Sequence, residues 1–368
     1  MGGGPDKEHM VILLWETEPT TRIEAIKRRF PYIEITYLNL KDSNKPRDDG
    51  AKLDVPPELY EKVTIWVSLG VLPPNPQSVP NLKFIHLFSA GVDHFSNHPI
   101  LTSSDIPITT SSGISAPPIA EWVLMTTLAS TKHFTTTYEQ QKSHTWGRND
   151  AHLQSARDWV GKRIGIAGYG SIGRQVARLF TALGSDVIAY TAGPRSTPES
   201  RADHGYIVPG TGDPLGTLPK AWYSGTRKAD LHGFLSQGLD LLVICLPLTK
   251  STTHLCSSEE FRILADACPT PGGAYVANIS RGKIIDQPAL VEALNGGVLG
   301  GAMLDVAEPE PLPKDDPLWD AKNVVITPHI SSLGVEYADR AYDVLTTNLA
   351  RRERGEKMFN LVNRDKGY

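Results

Sequence analysis

Residues 163–192 read R-I-G-I-A-G-Y-G-S-I-G-R-Q-V-A-R-L-F-T-A-L-G-S-D-V-I-A-Y-T-A, and the rest of the chain is organised around them. A short apolar run (Ile164, Ile166, Ala167) leads into Gly168-Tyr169-Gly170-Ser171-Ile172-Gly173. Apolar residues then recur with helical spacing at Ile172, Val176, Leu179, Phe180 and Leu183, until Gly184 stops the pattern. Val187 to Tyr190 is a second apolar run. The order is strand, glycine-rich turn, helix, strand. The three glycines have separate tasks. Gly168 permits a tight turn, Gly170 lets the backbone approach a pyrophosphate, and Gly173 lets helix and strand pack closely. The helix N-terminus adds unpaired N–H groups and the positive end of its dipole. The stretch implies dinucleotide binding. A glycine-rich turn that merely packs is the plainer alternative, and the flanking strand and helix weigh against it.

Composition bounds the remainder. A chain of 368 residues suits two domains of ordinary size. With 40% hydrophobic and 21% charged residues, it has the make-up of a soluble globular protein. A formal net charge of −4 gives no case for a nucleic-acid or membrane partner. Cys245, Cys256 and Cys268 show no metal or redox spacing, so no metal is expected, and Cys245 reads as a buried thiol. So sparse and odd a count suits a reducing compartment. No apolar run approaches the roughly 18 residues that span a bilayer. Met1 to Asp6 has neither an apolar signal core nor an Arg-rich leader, and Gly2 lacks the following Ser or Thr of a myristoylation site. A cytoplasmic protein is expected.

Upstream of the glycine turn, Met10–Trp15, Ile33–Leu38, Val63–Leu69 and Phe84–Phe88 read as strands, with a helix over Pro19–Phe30. Lys41 to Asp54 is polar and reads as an exposed loop. Strands alternating with helices argue for a small parallel-sheet domain. Its ligand crevice would lie outside the carboxyl ends of the strands, where Ser89-Ala90-Gly91-Val92 stands. There the backbone N–H groups would face an anion, although an ordinary turn is equally consistent with the spacing. Ser115 then reads as the N-cap of a long helix reaching Gln141, apolar almost all round over Ile119–Ala129 and so deeply buried. Trp146 lies on a polar arm beyond it, placed to meet either a second subunit or its own chain.

Downstream, residues 193–238 are rich in Gly, Pro and Ser and read as an insertion or a mobile flap, with Pro209–Pro214 as surface loop. Strands follow at Leu239–Leu248, Gly273–Ile279, Gly300–Leu304 and Val324–Thr327, with helices at Glu259–Ala267, Gln287–Leu294 and Val335–Arg351. An Arg, two acids and a His stand just beyond successive strands, at Arg281, Glu308, Glu310 and His329. In a doubly wound sheet those ends face the cofactor crevice.

Six segments then carry a specific resemblance: S-A-G-V-D-H from residue 89, G-Y-G-S-I-G from 168, L-P-L-T from 246, N-I-S-R-G-K-I-I-D from 278, L-D-V-A-E-P-E-P-L from 304 and T-P-H-I-S from 327. In type and order they are similar to the D-isomer-specific 2-hydroxyacid dehydrogenase family, which includes glyoxylate/hydroxypyruvate reductases. The resemblance implies an α/β fold of two Rossmann-like, doubly wound parallel-sheet domains. A substrate domain (residues 1–115 and 335–368) would hold the inserted NAD(P)-binding domain (116–334), joined through helices 115–141 and 335–351. It implies a small 2-keto or 2-hydroxy acid substrate and a homodimer.

The family's catalytic triad falls on Arg281, Glu310 and His329. Arg281 offers a planar, permanently charged fork to the carboxylate and ketone oxygen of a 2-keto acid. A hydride reaches the ketone carbon, and the oxygen then needs a proton. His329 is the natural donor, because imidazole titrates near neutral pH. A carboxylate beside it would orient it and favour its protonated form. Glu308 is the rival acid, and Glu310 is chosen because the family's catalytic acid immediately precedes the second Pro of this motif. The resemblance places the substrate also on Ala90, Gly91 and Val92. Cofactor contacts are implied at Gly168, Gly170, Ser171, Ile172, Gly173, Leu246, Pro247, Thr252, Ile279, Asp305 and Ser331. Two other classes share the scaffold. NAD(H)-sensing corepressors also carry the triad, but the chain lacks an acid that marks NAD binding. Formate dehydrogenases have Gln where this chain has Glu310.

One departure bears on the cofactor. An NAD-binding unit carries Asp or Glu after its second strand, on the ribose 2′-hydroxyl. Here the chain reads Thr191-Ala192-Gly193-Pro194-Arg195-Ser196. No acid there repels a 2′-phosphate, Arg195 is placed to pair with one, and Thr191 and Ser196 add hydrogen bonds. NADP is therefore preferred, with NAD the alternative.

Overall fold

The structure, a computed structural model, describes residues 7–43 and 55–364. Most of the expected 41–54 loop therefore lies outside the described residues. The chain divides into two compact units, one of residues 115–334 and one joining residues 1–114 to 335–368.

The second of these begins with β1 (Glu8–Leu14), α1 (Thr20–Arg29), β2 (Ile33–Asn39), α2 (Pro57–Lys62), β3 (Ile65–Ser68), β4 (Phe84–Leu87), α3 (Pro99–Thr102) and β5 (Ile108–Thr110). The strands form one wholly parallel sheet, ordered β2-β1-β3-β4-β5. Met10 to Leu13 have no exposure, which is why β1 reads as an unbroken apolar run rather than an alternating one. On β4, His86 is fully buried, with Nδ1 2.8 Å from the Thr109 hydroxyl. Burial pushes its pKa down to about 3, so it is a neutral core residue. β5, three residues long, is too short to show a period in the sequence.

The other unit runs through α4 (Ala116–Thr131), α5 (Phe134–Lys142), β6 (Arg163–Ala167), α6 (Ser171–Ala182), β7 (Asp186–Thr191), α7 (Pro198–Arg201), β8 (Ala221–Ser224) and α8 (Lys228–Leu235). It continues with β9 (Leu241–Ile244), α9 (Ser258–Ala267), β10 (Tyr275–Asn278), α10 (Gln287–Asn295), β11 (Gly301–Leu304) and β12 (Val324–Ile326). Its seven strands are all parallel, ordered β12-β11-β10-β9-β6-β7-β8. One face is covered by α4 and α6 through Trp122, Val123, Val176 and Phe180. The other is covered by α8, α9 and α10 through Leu231, Phe234, Leu264 and Leu290. The strand order reverses between β6 and β9, so the crevice beyond their carboxyl ends is the topological switch point.

Four expectations need correction. The long helix from 115 to 141 is two helices, α4 and α5, separated at His133, whose φ is 54°. The Thr131 carbonyl accepts from Arg157 N (3.0 Å), and the Thr131 hydroxyl from Trp159 Nε1 (3.2 Å). A chain segment some distance on thus closes α4, without the Gly or Pro that would mark the break in sequence. Ser115 makes no side-chain cap, and α4 is not buried on every side, since Met125 is 58% exposed. Residues 193–238 are not one flap, because α7, β8 and α8 lie within them, and β8 pairs with β7 from Ile188↔Ala221 to Thr191↔Ser224.

The chain then returns to the five-stranded unit as α11 (Tyr337–Glu353). Arg352 holds Glu8 with both terminal nitrogens at 2.7 Å, and Tyr342 meets Phe88 edge to face at 4.9 Å. These contacts fasten the last helix to the sheet formed by the beginning of the chain. Among the described residues no helix is long and apolar enough to cross a membrane.

Candidate active site

The glycine turn behaves as three different constraints. Gly168 has φ 98°, and a Cβ on it would lie 2.5 Å from the Cys245 carbonyl oxygen just beyond β9. A Cβ on Gly173 would lie 2.3 Å from the Gly168 carbonyl oxygen. Around Gly170 there is nothing within 4 Å of the Cβ position, and no side chain caps the start of α6. The turn therefore offers bare backbone N–H groups at Ser171, Ile172 and Gly173 beside open surface, a cradle that fits a pyrophosphate. Across the switch point, the Thr252 hydroxyl donates to the Pro247 carbonyl (2.8 Å) and accepts from Thr249 N (2.7 Å). That fixes the turn of Leu246 to Thr249.

Three neighbouring strands end level with one another. Asn278, Leu304 and Ile326 are in register across β10, β11 and β12, so the residues that follow them emerge side by side. Asn278 shapes the first of these loops, donating to the Arg281 carbonyl (3.0 Å) and accepting from Ser280 N (3.1 Å). Arg281 Nη1 donates to the Ser280 carbonyl at 2.8 Å. Gly282 follows with no room for a side chain, since a Cβ would lie 2.0 Å from the Ala307 carbonyl oxygen. The Arg281 loop thus packs directly on the segment that carries Glu310.

His329 Nδ1 lies 2.9 Å from Glu310 Oε2, and Glu310 Oε1 accepts from Ala307 N (3.1 Å). An ionised carboxylate only accepts, so against it Nδ1 is the donor, and Nε2 takes no part in this contact. Both side chains are partly open to solvent, His329 at 46% and Glu310 at 38%. His329 adopts φ 56°, an uncommon conformation for a residue with a side chain. Its N–H donates to the Asp305 carbonyl at 2.9 Å. The rival Glu308 is paired elsewhere, 2.9 Å from His254 Nε2.

Other expected cofactor residues have structural work of their own. Asp305 is buried, and its carboxylate accepts from the Thr327 hydroxyl (2.6 Å), Ile330 N (2.8 Å) and Ser331 N (2.9 Å). It folds the loop around His329. Ile279 packs in the core beneath the sheet. At the end of β7 the Thr191 hydroxyl donates to the Gly193 carbonyl (2.8 Å). Arg195 and Ser196 are exposed, and Arg195 Nη1 donates to the Ser200 carbonyl. In the other unit, Ala90 and Gly91 follow β4 with Ala90 exposed and Val92 buried, and Ser89 Oγ donates to the Gly91 carbonyl (3.0 Å).

The sheet order, the glycine turn and the Arg, Glu and His residues past adjacent strands together define a dinucleotide-dependent dehydrogenase. The sequence pattern described as "D-isomer specific 2-hydroxyacid dehydrogenase, NAD binding domain" matches residues 124–208 and 214–331, over half of the chain. Glyoxylate reductase of Thermofilum pendens is 30% identical over 289 residues, covering 78% of this chain and 77% of that protein. Glyoxylate/hydroxypyruvate reductase B of Pectobacterium carotovorum is 33% identical over 294 residues, covering 78% and 81%. Among solved structures, NADPH-dependent glyoxylate/hydroxypyruvate reductase from Sinorhizobium meliloti, in complex with NADP and sulfate, superposes with a TM-score of 0.71 at 26% identity, covering 98% of this chain and all of that one. The chain belongs to the D-isomer specific 2-hydroxyacid dehydrogenase family. It is an oxidoreductase with an NAD(P)-binding domain, acting between 2-hydroxy and 2-keto acids.

Proposed function

We propose that this enzyme reduces small 2-keto acids of the glyoxylate and hydroxypyruvate type with NADPH, using Arg281, Glu310 and His329. The observation that carries the assignment is the 2.9 Å contact between His329 Nδ1 and Glu310, on a loop packed against the one that bears Arg281. Bound at the glycine turn, the nicotinamide cofactor supplies the hydride. Arg281 pairs with the substrate carboxylate and ketone oxygen. His329 Nε2 gives its proton to the ketone oxygen as negative charge builds there, and Glu310 stabilises the imidazolium that donates it.

The NADPH preference rests on the absence of an acid over residues 191–196 and on Arg195. The relatives support the same reading, since the Sinorhizobium protein is described as NADPH-dependent. A charge-assisted bond to a phosphate is worth on the order of 1.5–3 kcal/mol. Arg195→Ala should therefore raise the NADPH KM about tenfold and leave that for NADH nearly unchanged. Thr191→Asp should move preference toward NADH. The check is kcat/KM for glyoxylate and hydroxypyruvate reduction with both cofactors. A wild-type ratio favouring NADH, or an unchanged Arg195→Ala ratio, rejects the assignment, and failure to reduce either keto acid rejects the substrate class.

A homodimer is the proposed assembly. Trp146 is 94% exposed, and Phe134 and Tyr138 stack at 6.0 Å on the exposed side of α5. So much exposed aromatic surface in one region supports a partner surface there. Sedimentation as a single 40.2 kDa chain would contradict this. The three free cysteines support residence in the cytoplasm, which a fluorescent fusion located elsewhere would overturn.

A further inference from the structure

The loop of residues 202–220, between α7 and β8, buries one carboxylate. Asp213 is 4% exposed and accepts at Oδ1 from Thr217 N (3.0 Å) and at Oδ2 from Leu218 N (3.1 Å), closing the loop on itself. Its Oδ2 also accepts from the Tyr169 hydroxyl at 2.8 Å. Tyr169 stands between the first two glycines of the pyrophosphate turn. Its ring is held edge-on by Trp222 at 4.9 Å.

Arg174, in the first turn of α6 and 4% exposed, makes the second connection. Nη1 donates to the Asp213 carbonyl (2.6 Å) and Nη2 to the Arg201 carbonyl (2.6 Å), and Nε lies 3.4 Å from the Asp203 carboxylate. Gln175 Oε1 accepts from Gly212 N at 2.6 Å. Arg201 Nε in turn donates to the Arg195 carbonyl at 2.8 Å. The loop is therefore tied to the glycine turn, to the start of α6 and to the segment after β7 that carries Arg195. The stretch 209–213, which includes Asp213, falls between the two stretches matched by the family pattern.

We propose that the 202–220 loop is a brace for the cofactor cradle. Tyr169, Arg174 and Asp213 are positioning residues that hold the Gly168–Gly173 turn and the 191–201 segment in their binding shape before the dinucleotide arrives. The turn needs such a brace because glycine loses more conformational freedom on ordering than any other residue. A loop ordered in advance spares the ligand that cost, and the gain is read as affinity. The inference rests on the NAD(P)-binding reading of the turn and adds to it the residues that keep the turn in place.

The test uses the full chain with Tyr169→Phe, Asp213→Asn and the double variant. Dissociation constants for NADPH and NADH are measured by intrinsic fluorescence, alongside kcat, KM and the melting temperature. The brace predicts that Kd and KM for both cofactors rise about tenfold, as expected when one buried hydrogen bond is lost. It predicts that kcat at saturating cofactor falls far less, and that the double variant binds no more weakly than Asp213→Asn. Melting temperatures that drop while both cofactor affinities stay at the wild-type value would overturn it, leaving the loop a purely structural role. Tyr169→Phe, which loses a single hydroxyl, carries the test alone if Asp213→Asn does not fold. A wild-type enzyme that binds neither dinucleotide would overturn the cofactor reading itself, an outcome distinct from failure of the brace.

Discussion

Replacing His329 with Ala should lower the rate of keto-acid reduction by about 10²–10⁴-fold while NADPH still binds, the usual worth of a positioned general acid. The size follows from where the residue sits. Its Nδ1 is committed to Glu310 at 2.9 Å, and its backbone is held by the Asp305 carbonyl in a conformation few non-glycine residues adopt. His254, at the neighbouring acid of the same loop, is already paired with Glu308. Glu310→Gln keeps the shape of the acid and removes its charge, so turnover should fall with a smaller penalty than in His329→Ala. Steady-state kinetics with a separate NADPH titration separates the two effects. Near-normal turnover in His329→Ala would remove the residue from the proton-transfer step.

The second large effect is expected at Arg281. Arg281→Lys keeps the positive charge but loses the planar fork that pairs with carboxylate and ketone oxygen together. One charge-assisted contact is worth on the order of 1.5–3 kcal/mol, so kcat/KM for the keto acid should fall about tenfold to a hundredfold. Loss in both KM and kcat is the expected signature, because the contact to the ketone oxygen strengthens as charge develops on it. A lysine enzyme with full activity would show that the fork is not used. The Asn278 side chain, which accepts from Ser280 N and donates to the Arg281 carbonyl, shapes the backbone that presents the arginine.

How much of this was legible in the sequence depended on whether the determining contacts were local. The glycine turn was, because its spacing, its preceding strand and its following helix all lie within one short stretch, and the tight contact of Gly173 is with Gly168 five residues earlier. Arg281, Glu308, Glu310 and His329 could be picked out as polar residues beyond short apolar runs, which become level strand ends in a parallel sheet, while the choice of Glu310 over Glu308 rested on the family resemblance. The break between α4 and α5 was not, because Arg157 and Trp159 close α4 from more than twenty residues further on. The resemblance implies Asp305 as a cofactor contact, but nothing local in the sequence shows that its carboxylate also accepts from Thr327, Ile330 and Ser331 on the following loop. Residues 209–214 look like surface loop from their Pro and Gly content. Nothing local shows that Asp213 is buried against Tyr169, forty-four positions earlier.

Enantiomer selectivity in the reverse direction tests the central claim most directly. D-glycerate and L-glycerate are supplied separately with NADP, and cofactor reduction is followed with the wild-type enzyme and with His329→Ala. The account predicts oxidation of the D enantiomer only, lost in His329→Ala. Oxidation of the L enantiomer at an equal or greater rate, or D-specific oxidation that survives the loss of His329, would contradict it.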